Sequence, residues 1–458
     1  MNVPTETKGA HRAAGLALAA AVLLALVAPA EVAAAGVTFG TPTATSKFGT
    51  GITFTQPYSG GPIAQAEIAI SLPGDVGPSI TAIPRPGASS LTYSLETSGG
   101  ALSPFTPVTA HFQAVLADGT VVPGPEIHVT YADDRFTWKS VTGGPVTIHW
   151  FQGSDSFAQQ LLSFGQKGLT KSAQFLGTTE TKAIDFYVYP SQQAFAAGLS
   201  VPETIGGQAE PAYRVCFALI APNDLAYGSS VVPHELTHIV FSDIVDNPYN
   251  SPPRWLNEGL AVYLSEGYGS DNRQLVSQAA KNGTLAPLAA LAGFFALDQT
   301  RIYLSYAEAV SAVDYMVRKY GQASVQKLVK AYATASTDDE AFQSAFGVSL
   351  SAFDKAWMAD NGVSAPTQYG PQPAPTGALP PGWTNTGGGT TANGSEPPVA
   401  PTAGPGSTPA GQGNGSSGSS NDPTQGVLLL SAAIASLGVL LLVVGGALML
   451  QQRRQQPH

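Results

Sequence analysis

One cysteine, Cys216, is all that the 458 residues contain. An intramolecular disulfide framework and a zinc ribbon built on cysteine are both excluded. Charge is also scarce: Asp, Glu, Lys and Arg make up 11% of the chain, against about 25% in an ordinary globular protein. Part of the length therefore lies outside folded cores. Basic residues are the scarcer sign, 21 against 31 acidic, for a formal charge of −10. That balance argues against nucleic acid as a partner, because a phosphate binder needs a basic face. Long apolar runs are missing from the body of the chain and stand only near its two ends.

Near the N-terminus, Lys8, His11 and Arg12 precede an apolar stretch from Ala13 to Ala28, and Ala33-Ala34-Ala35 follows. A basic start, an apolar centre and a small-residue exit predict a secretory signal over 1–35. At the other end, Val427 to Leu450 is 24 residues without a charge. At about 1.5 Å per helical residue this spans a hydrocarbon core of about 30 Å, which predicts one membrane helix over 426–450. Arg453 and Arg454 follow it, so the positive-inside rule makes 451–458 a cytoplasmic tail. The expectation is a single-pass type I protein of the cell membrane, with everything upstream outside the cytoplasm. Residues 365–425 are rich in Pro, Gly, Ser and Thr, with Glu396 and Asp422 as their only charges. Such a segment cannot bury enough apolar surface to offset its ordering entropy, and it reads as a disordered stalk.

Two folded regions lie between. In 36–134 apolar residues alternate with period two: Ala66, Ile68, Ile70 and Leu72, then Leu91, Tyr93 and Leu95, then Ala110, Phe112 and Ala114. Asp118-Gly119 supplies a hairpin turn before Val121. Short alternating strands between Gly/Pro turns predict an all-β sandwich, of immunoglobulin-like type. The alternation turns His111 and His128 outward to solvent. From Arg135 to residue 364 strands come early and helices late, an α+β layout. Strands are expected at Val146–Phe151, Ile184–Tyr189 and Arg214–Ala221, and a helix at Ser154–Leu176. Cys216 sits among apolar neighbours and reads as a small buried hydrophobe.

The chemistry gathers in Ser230-Val-Val-Pro-His234-Glu235-Leu-Thr-His238. Ser230 is the expected helix N-cap, with Pro233 in the first turn. Four residues of helix return a side chain to the same face, so His234 and His238 can hold one ion. Glu235, rotated by about 100°, can reach water on that ion. Arg254-Trp-Leu-Asn257-Glu258-Gly-Leu-Ala261 follows, with 19 residues between His238 and Glu258. That is room for a loop and a return helix bringing Glu258 up as third ligand. Three protein ligands and one open position is the catalytic form of a Zn²⁺ site. Glu235 would take a proton from water and pass it to a leaving amine.

His234-Glu235-x-x-His238 followed by Asn257-Glu258-Gly-Leu-Ala resembles the gluzincin metallopeptidases of the peptidase MA clan. The likeness is greatest to the peptidase MA-like domain related to the aminopeptidase N and thermolysin families, and it covers about Val146 to Trp357. It implies a thermolysin-like fold, and a tyrosine after the third ligand that steadies the tetrahedral intermediate. Tyr306 best matches that tyrosine, with Tyr303 as the alternative. The chain departs from the pattern in two places. It has no G-x-M-E-N stretch of the kind that holds a free substrate amine in the aminopeptidases. It has Val262 where a thermolysin-type aspartate would orient an imidazole, which leaves Asp243 and Asp246 as candidates. Arg214–Ala221 is the expected edge strand for an extended peptide. The combined expectation is a membrane-anchored zinc metallopeptidase acting on a peptide or protein substrate. The competing reading is a surface binding protein in which the zincin domain is a retained scaffold.

Overall fold

The computed structural model describes residues 36–84, 89–98, 100–199, 206–295 and 298–365. The expected signal at 1–35, the stalk beyond its first residue, the membrane helix at 426–450 and the tail at 451–458 lie outside the described residues. Among the described residues, no helix is long and apolar enough to cross a membrane.

Nine strands come first: β1 (Thr38–Phe39), β2 (Thr43–Lys47), β3 (Gly51–Ser59), β4 (Gln65–Ser71), β5 (Ser79–Ile83), β6 (Ser90–Glu96), β7 (Thr106–Val115), β8 (Val121–Pro123) and β9 (Ile127–Tyr131). They form two antiparallel sheets. In one, β3 pairs with β1, β2 and β6; in the other, β4 lies between β5 and β7, and β7 also pairs with β8 and β9. Successive side chains of a strand point to opposite faces, so the period-two pattern becomes a core. Ile52 and Phe54 of one sheet meet Ile68, Ile70, Ala110 and Phe112 of the other. The β7–β8 turn is closed by Asp118, whose Oδ1 accepts the Thr120 N–H at 2.9 Å, and Gly119 takes φ +85°. His128 is exposed beside Glu126.

The second region contains β10 (Lys139–Gly143), β11 (Val146–Trp150), α1 (Asp155–Leu176), β12 (Ile184–Tyr189), α2 (Gln192–Leu199), β13 (Gly207–Glu210), β14 (Val215–Leu219), α3 (Leu225–Val245), α4 (Arg254–Ser265), α5 (Ser270–Asn282), α6 (Gln299–Tyr320), α7 (Gln322–Tyr332), α8 (Asp338–Phe346) and α9 (Leu350–Asp360). The sheet order is β10-β11-β12-β14-β13. Its three middle strands are parallel and both outer strands antiparallel to their neighbours. Ile184–Tyr189 is almost wholly buried, as suits a central parallel strand covered on both faces. Helix α1 begins where Ser154 Oγ accepts the Phe157 N–H and ends at left-handed Gly177. Cys216 is fully buried in β14, and that burial pushes its thiol well up.

Two expectations are corrected here. The strand near Arg214–Ala221 is β14, and it is interior; the outer strand is the four-residue β13. Gly-Gln-Ala-Glu has no apolar alternation, so it leaves little trace in sequence. Helix α3 starts at Leu225 with Asp224 as its cap, so Ser230 and Pro233 lie inside it. Gly228-Ser229-Ser230 is a weak helix former, and tertiary packing overrides that weakness. Gly228 abuts Leu161 of α1, while Gly165 and Gly168 of α1 lie against Val232, Pro233 and Leu236. Missing side chains let the two helices approach closely, and that approach holds the motif helix in place.

The two regions are joined by specific contacts. Asp133, at the end of the sandwich, accepts hydrogen bonds from Arg135 Nε at 2.8 Å and from the Tyr189 hydroxyl at 2.9 Å. Phe105, held at φ +61°, stacks on Tyr187 with centroids 3.6 Å apart. Ser103 donates to Glu210 of β13 at 2.8 Å. The loop before β7 thus packs on the sheet and touches its outer strand.

Candidate metal centre

Helix α3 presents His234, Glu235 and His238, and α4 returns Glu258 to them. The return is set by the connecting loop, where Asn247 Nδ2 donates to the carbonyls of Tyr332 and Ala335. At the start of α4, the Arg254 N–H donates to the Ala292 carbonyl at 2.8 Å. Glu258 Oε2 then stands 3.5 Å from His234 Nε2 and 3.6 Å from His238 Nε2. Two donors on a tetrahedral ion with bonds of about 2.0–2.1 Å are themselves about 3.3 Å apart, so the spacing fits zinc. These three atoms are buried and have no hydrogen-bond partner. Among the described residues this is the one group of three or more His, Cys, Asp or Glu side chains able to share an ion. Orphaned buried polar atoms are costly unless something binds them, and a metal would satisfy all three at once.

The surroundings prepare the ligands. His238 Nδ1 donates to Asn257 Oδ1 at 2.8 Å. An amide oxygen only accepts, so the proton sits on Nδ1 and the Nε2 lone pair is free for the metal. Burial pushes the His238 pKa down to about 4, which keeps the ring neutral. Burial alone would raise Glu258, but the adjacent imidazoles of His234 and His238 and the Arg254 guanidinium hold it below its ordinary value. Asn257 displaces the two aspartates considered from sequence. Asp243 is engaged by Arg214 at 2.5 Å, and Asp246 caps the end of α3. The available signal for Asn257 was its position directly before Glu258.

Glu235 is fully buried, and neither carboxylate oxygen has a partner. Burial, and then the charge of Glu258, pushes its pKa well up. Gly207 of β13 runs against it: a Cβ there would stand 2.2 Å from Glu235 Oε1. The outer strand thus borders the Glu235 carboxylate directly. The two tyrosines of α6 differ in setting. Tyr306 packs its ring edge-on against Phe295, centroids 5.2 Å apart. The Tyr303 hydroxyl is buried without a hydrogen-bond partner. Tyr303 is also among the groups raising the pKa of Tyr227, after burial, Glu235, Glu266 and Asp224. The Tyr227 hydroxyl is likewise buried and unpartnered.

A mixed sheet with an antiparallel outer strand beside an H-E-x-x-H helix, and a glutamate delivered from the next helix, define a gluzincin-like peptidase domain with a β domain N-terminal to it. Residues 164–361 match the family model of the Peptidase MA superfamily. No curated protein matches the chain. Among solved structures, an M1 zinc metallopeptidase from Deinococcus radiodurans is 11% identical, with 70% of this chain and 94% of that chain covered at a TM-score of 0.37. An aminopeptidase N family protein from Idiomarina loihiensis is 10% identical, covering 69% and 75% at a TM-score of 0.38. A polysaccharide deacetylase from Bacillus cereus is 11% identical, covering 33% and 51% at 0.19. Likeness at TM-scores this low carries no argument about activity.

Proposed function

We propose that this protein is a zinc metallopeptidase, anchored to the cell membrane by one C-terminal helix and acting on peptide or protein substrates outside the cytoplasm. One observation carries the reading: His234, His238 and Glu258 converge three buried, unpartnered donor atoms beside the equally unpartnered carboxylate of Glu235. A structural zinc site would close all four positions with protein ligands, and a retained scaffold has no use for a buried free carboxylate. Bound zinc would polarise a carbonyl and lower the pKa of water to about 7. Glu235 accepts a proton from the attacking water and delivers it to the departing amine. We assign Tyr303, in place of Tyr306, as the hydroxyl that donates to the carbonyl oxygen as charge develops. The apolar run at Val427–Leu450 and the basic-apolar-small leader support the location.

The test uses the full chain in detergent. About one zinc per chain and cleavage of a peptide library are expected. Glu235→Gln should keep the zinc and lose cleavage by at least about a hundredfold. Undiminished cleavage in that variant removes Glu235 from the mechanism, and no zinc in the parent after loading defeats the reading. For location, protease added to intact cells should strip the folded part; complete protection would place it elsewhere.

A further inference from the structure

Helix α4 delivers more than the third ligand. Arg254, one turn before Glu258, places Nη2 3.0 Å from Glu258 Oε1, the oxygen that faces away from the histidines. Oε2 is the oxygen 3.5 Å and 3.6 Å from the two imidazole nitrogens. The carboxylate is thereby divided, one oxygen to the guanidinium and the other to the ligand cluster.

An exposed ion pair at this spacing is worth about 0.3–0.5 kcal/mol and would need no further account. This pair is not exposed: the side chains retain 18% and 2% of their accessible surface. Beyond the ion pair, Arg254 is held at two further points. Its N–H is tied to the Ala292 carbonyl, and its guanidinium lies over the Phe295 ring at 5.3 Å. Phe295 in turn is buttressed by Tyr306. Arg254 Nε is buried with no partner, a cost that stability alone would not retain. A fixed cation set against one oxygen of a metal-facing carboxylate controls how that carboxylate can bind.

We infer that Arg254 is a positioning residue that holds Glu258 Oε1 so that Glu258 meets the metal through Oε2 alone. A carboxylate free to rotate can offer both oxygens to one ion and fill the position that water and substrate need. Arg254 and Asn257 then act as a pair: one sets the carboxylate and the other sets the His238 ring. The inference rests on the zinc reading above.

The experiment compares the parent full chain with Arg254→Met, which keeps an apolar stem and removes the donors, and with Arg254→Lys. Zinc affinity is measured by chelator competition, and coordination number by the visible absorption of the cobalt-substituted protein. In Arg254→Met, affinity should fall about tenfold or more. Its cobalt bands should weaken as Glu258 turns both oxygens to the ion. Arg254→Lys should recover part of both. A parent that binds zinc, with Arg254→Met matching it in affinity and spectrum, overturns the inference alone. A parent that binds neither metal overturns the zinc reading and the inference with it. Melting of the metal-free proteins checks folding. If the methionine variant does not fold, the lysine variant decides, because one ammonium in place of the fork still predicts a changed cobalt spectrum and an unchanged spectrum refutes it.

Discussion

Gly207→Ala is the most direct probe of how the outer strand and the Glu235 carboxylate, the proposed acid–base group, depend on each other. The added methyl would stand 2.2 Å from Glu235 Oε1, 3.0 Å from its Cδ and 3.2 Å from Val231 Cγ2. An ordinary carbon–oxygen contact is about 3.3 Å, so carboxylate or strand must yield by on the order of 1 Å. Glu235 is fully buried and has little room to retreat. Gly207 has no left-handed φ, so alanine adds no backbone strain and only the contact is tested. Misplacement on this scale costs about a hundredfold in rate, or about 2.7 kcal/mol of barrier. The methyl is aimed at Glu235 and not at the ligand atoms, so zinc content should not change. The assay is kcat on a cleaved peptide, with zinc measured on the same samples. In a Glu235→Gln background, Gly207→Ala should add almost nothing, because both changes act on one group. A Gly207→Ala protein with parental kcat and full zinc would refute the proposed contact between β13 and the acid–base group.

Three further outcomes are expected. Asp133→Ala removes a fully buried carboxylate that pairs with Arg135 and Tyr189, and the urea midpoint should drop by the equivalent of about 3 kcal/mol; an unchanged midpoint would mean the joint between sandwich and sheet contributes nothing. Gly168→Ala would place a Cβ 2.5 Å from Pro233 Cβ and 2.8 Å from its Cα. Forcing α1 and α3 apart costs about 1–3 kcal/mol against a helix-propensity gain of about 1 kcal/mol, so melting should come earlier, and a later melt would contradict the close approach. Burial pushes Asp354 from 3.8 up to about 6, against the opposing N–H bonds of Leu288 and Ala289. The folded state therefore keeps a proton that the unfolded chain releases, and stability falls as pH rises from about 3.8 to 6. In Asp354→Asn that slope should flatten in melting curves; parallel curves would show that Asp354 titrates alike in both states.

Local pattern carried some of this protein without help. His234 and His238 share a face because four helical residues make about one turn, whatever surrounds them. Alternation in β4 and β7 sorts side chains to two sides of a sheet, and one apolar side must be buried. Ser154 and Gly177 bound α1 through capping and left-handed geometry, which are properties of single residues. Other features arise only when distant segments meet. The start of α3 was misread because its Gly-Ser-Ser stretch is stabilised by α1 lying against it, and no window of sequence contains both helices. The identity of the outer strand followed from strand order, which depends on how the chain crosses the sheet and not on the composition of Gly207–Glu210. Asn257 and Arg254 belong to the same helical turn as Glu258. That they divide their work between His238 and one oxygen of Glu258 depends on the angle at which α4 meets α3. Sequence by itself determined which side chains could bind a metal, since that is a matter of donor chemistry and helical period. Tertiary structure alone decided which atoms face one another and which stay unpartnered, because hydrogen bonds and coordination act over a few ångströms between segments far apart in the chain.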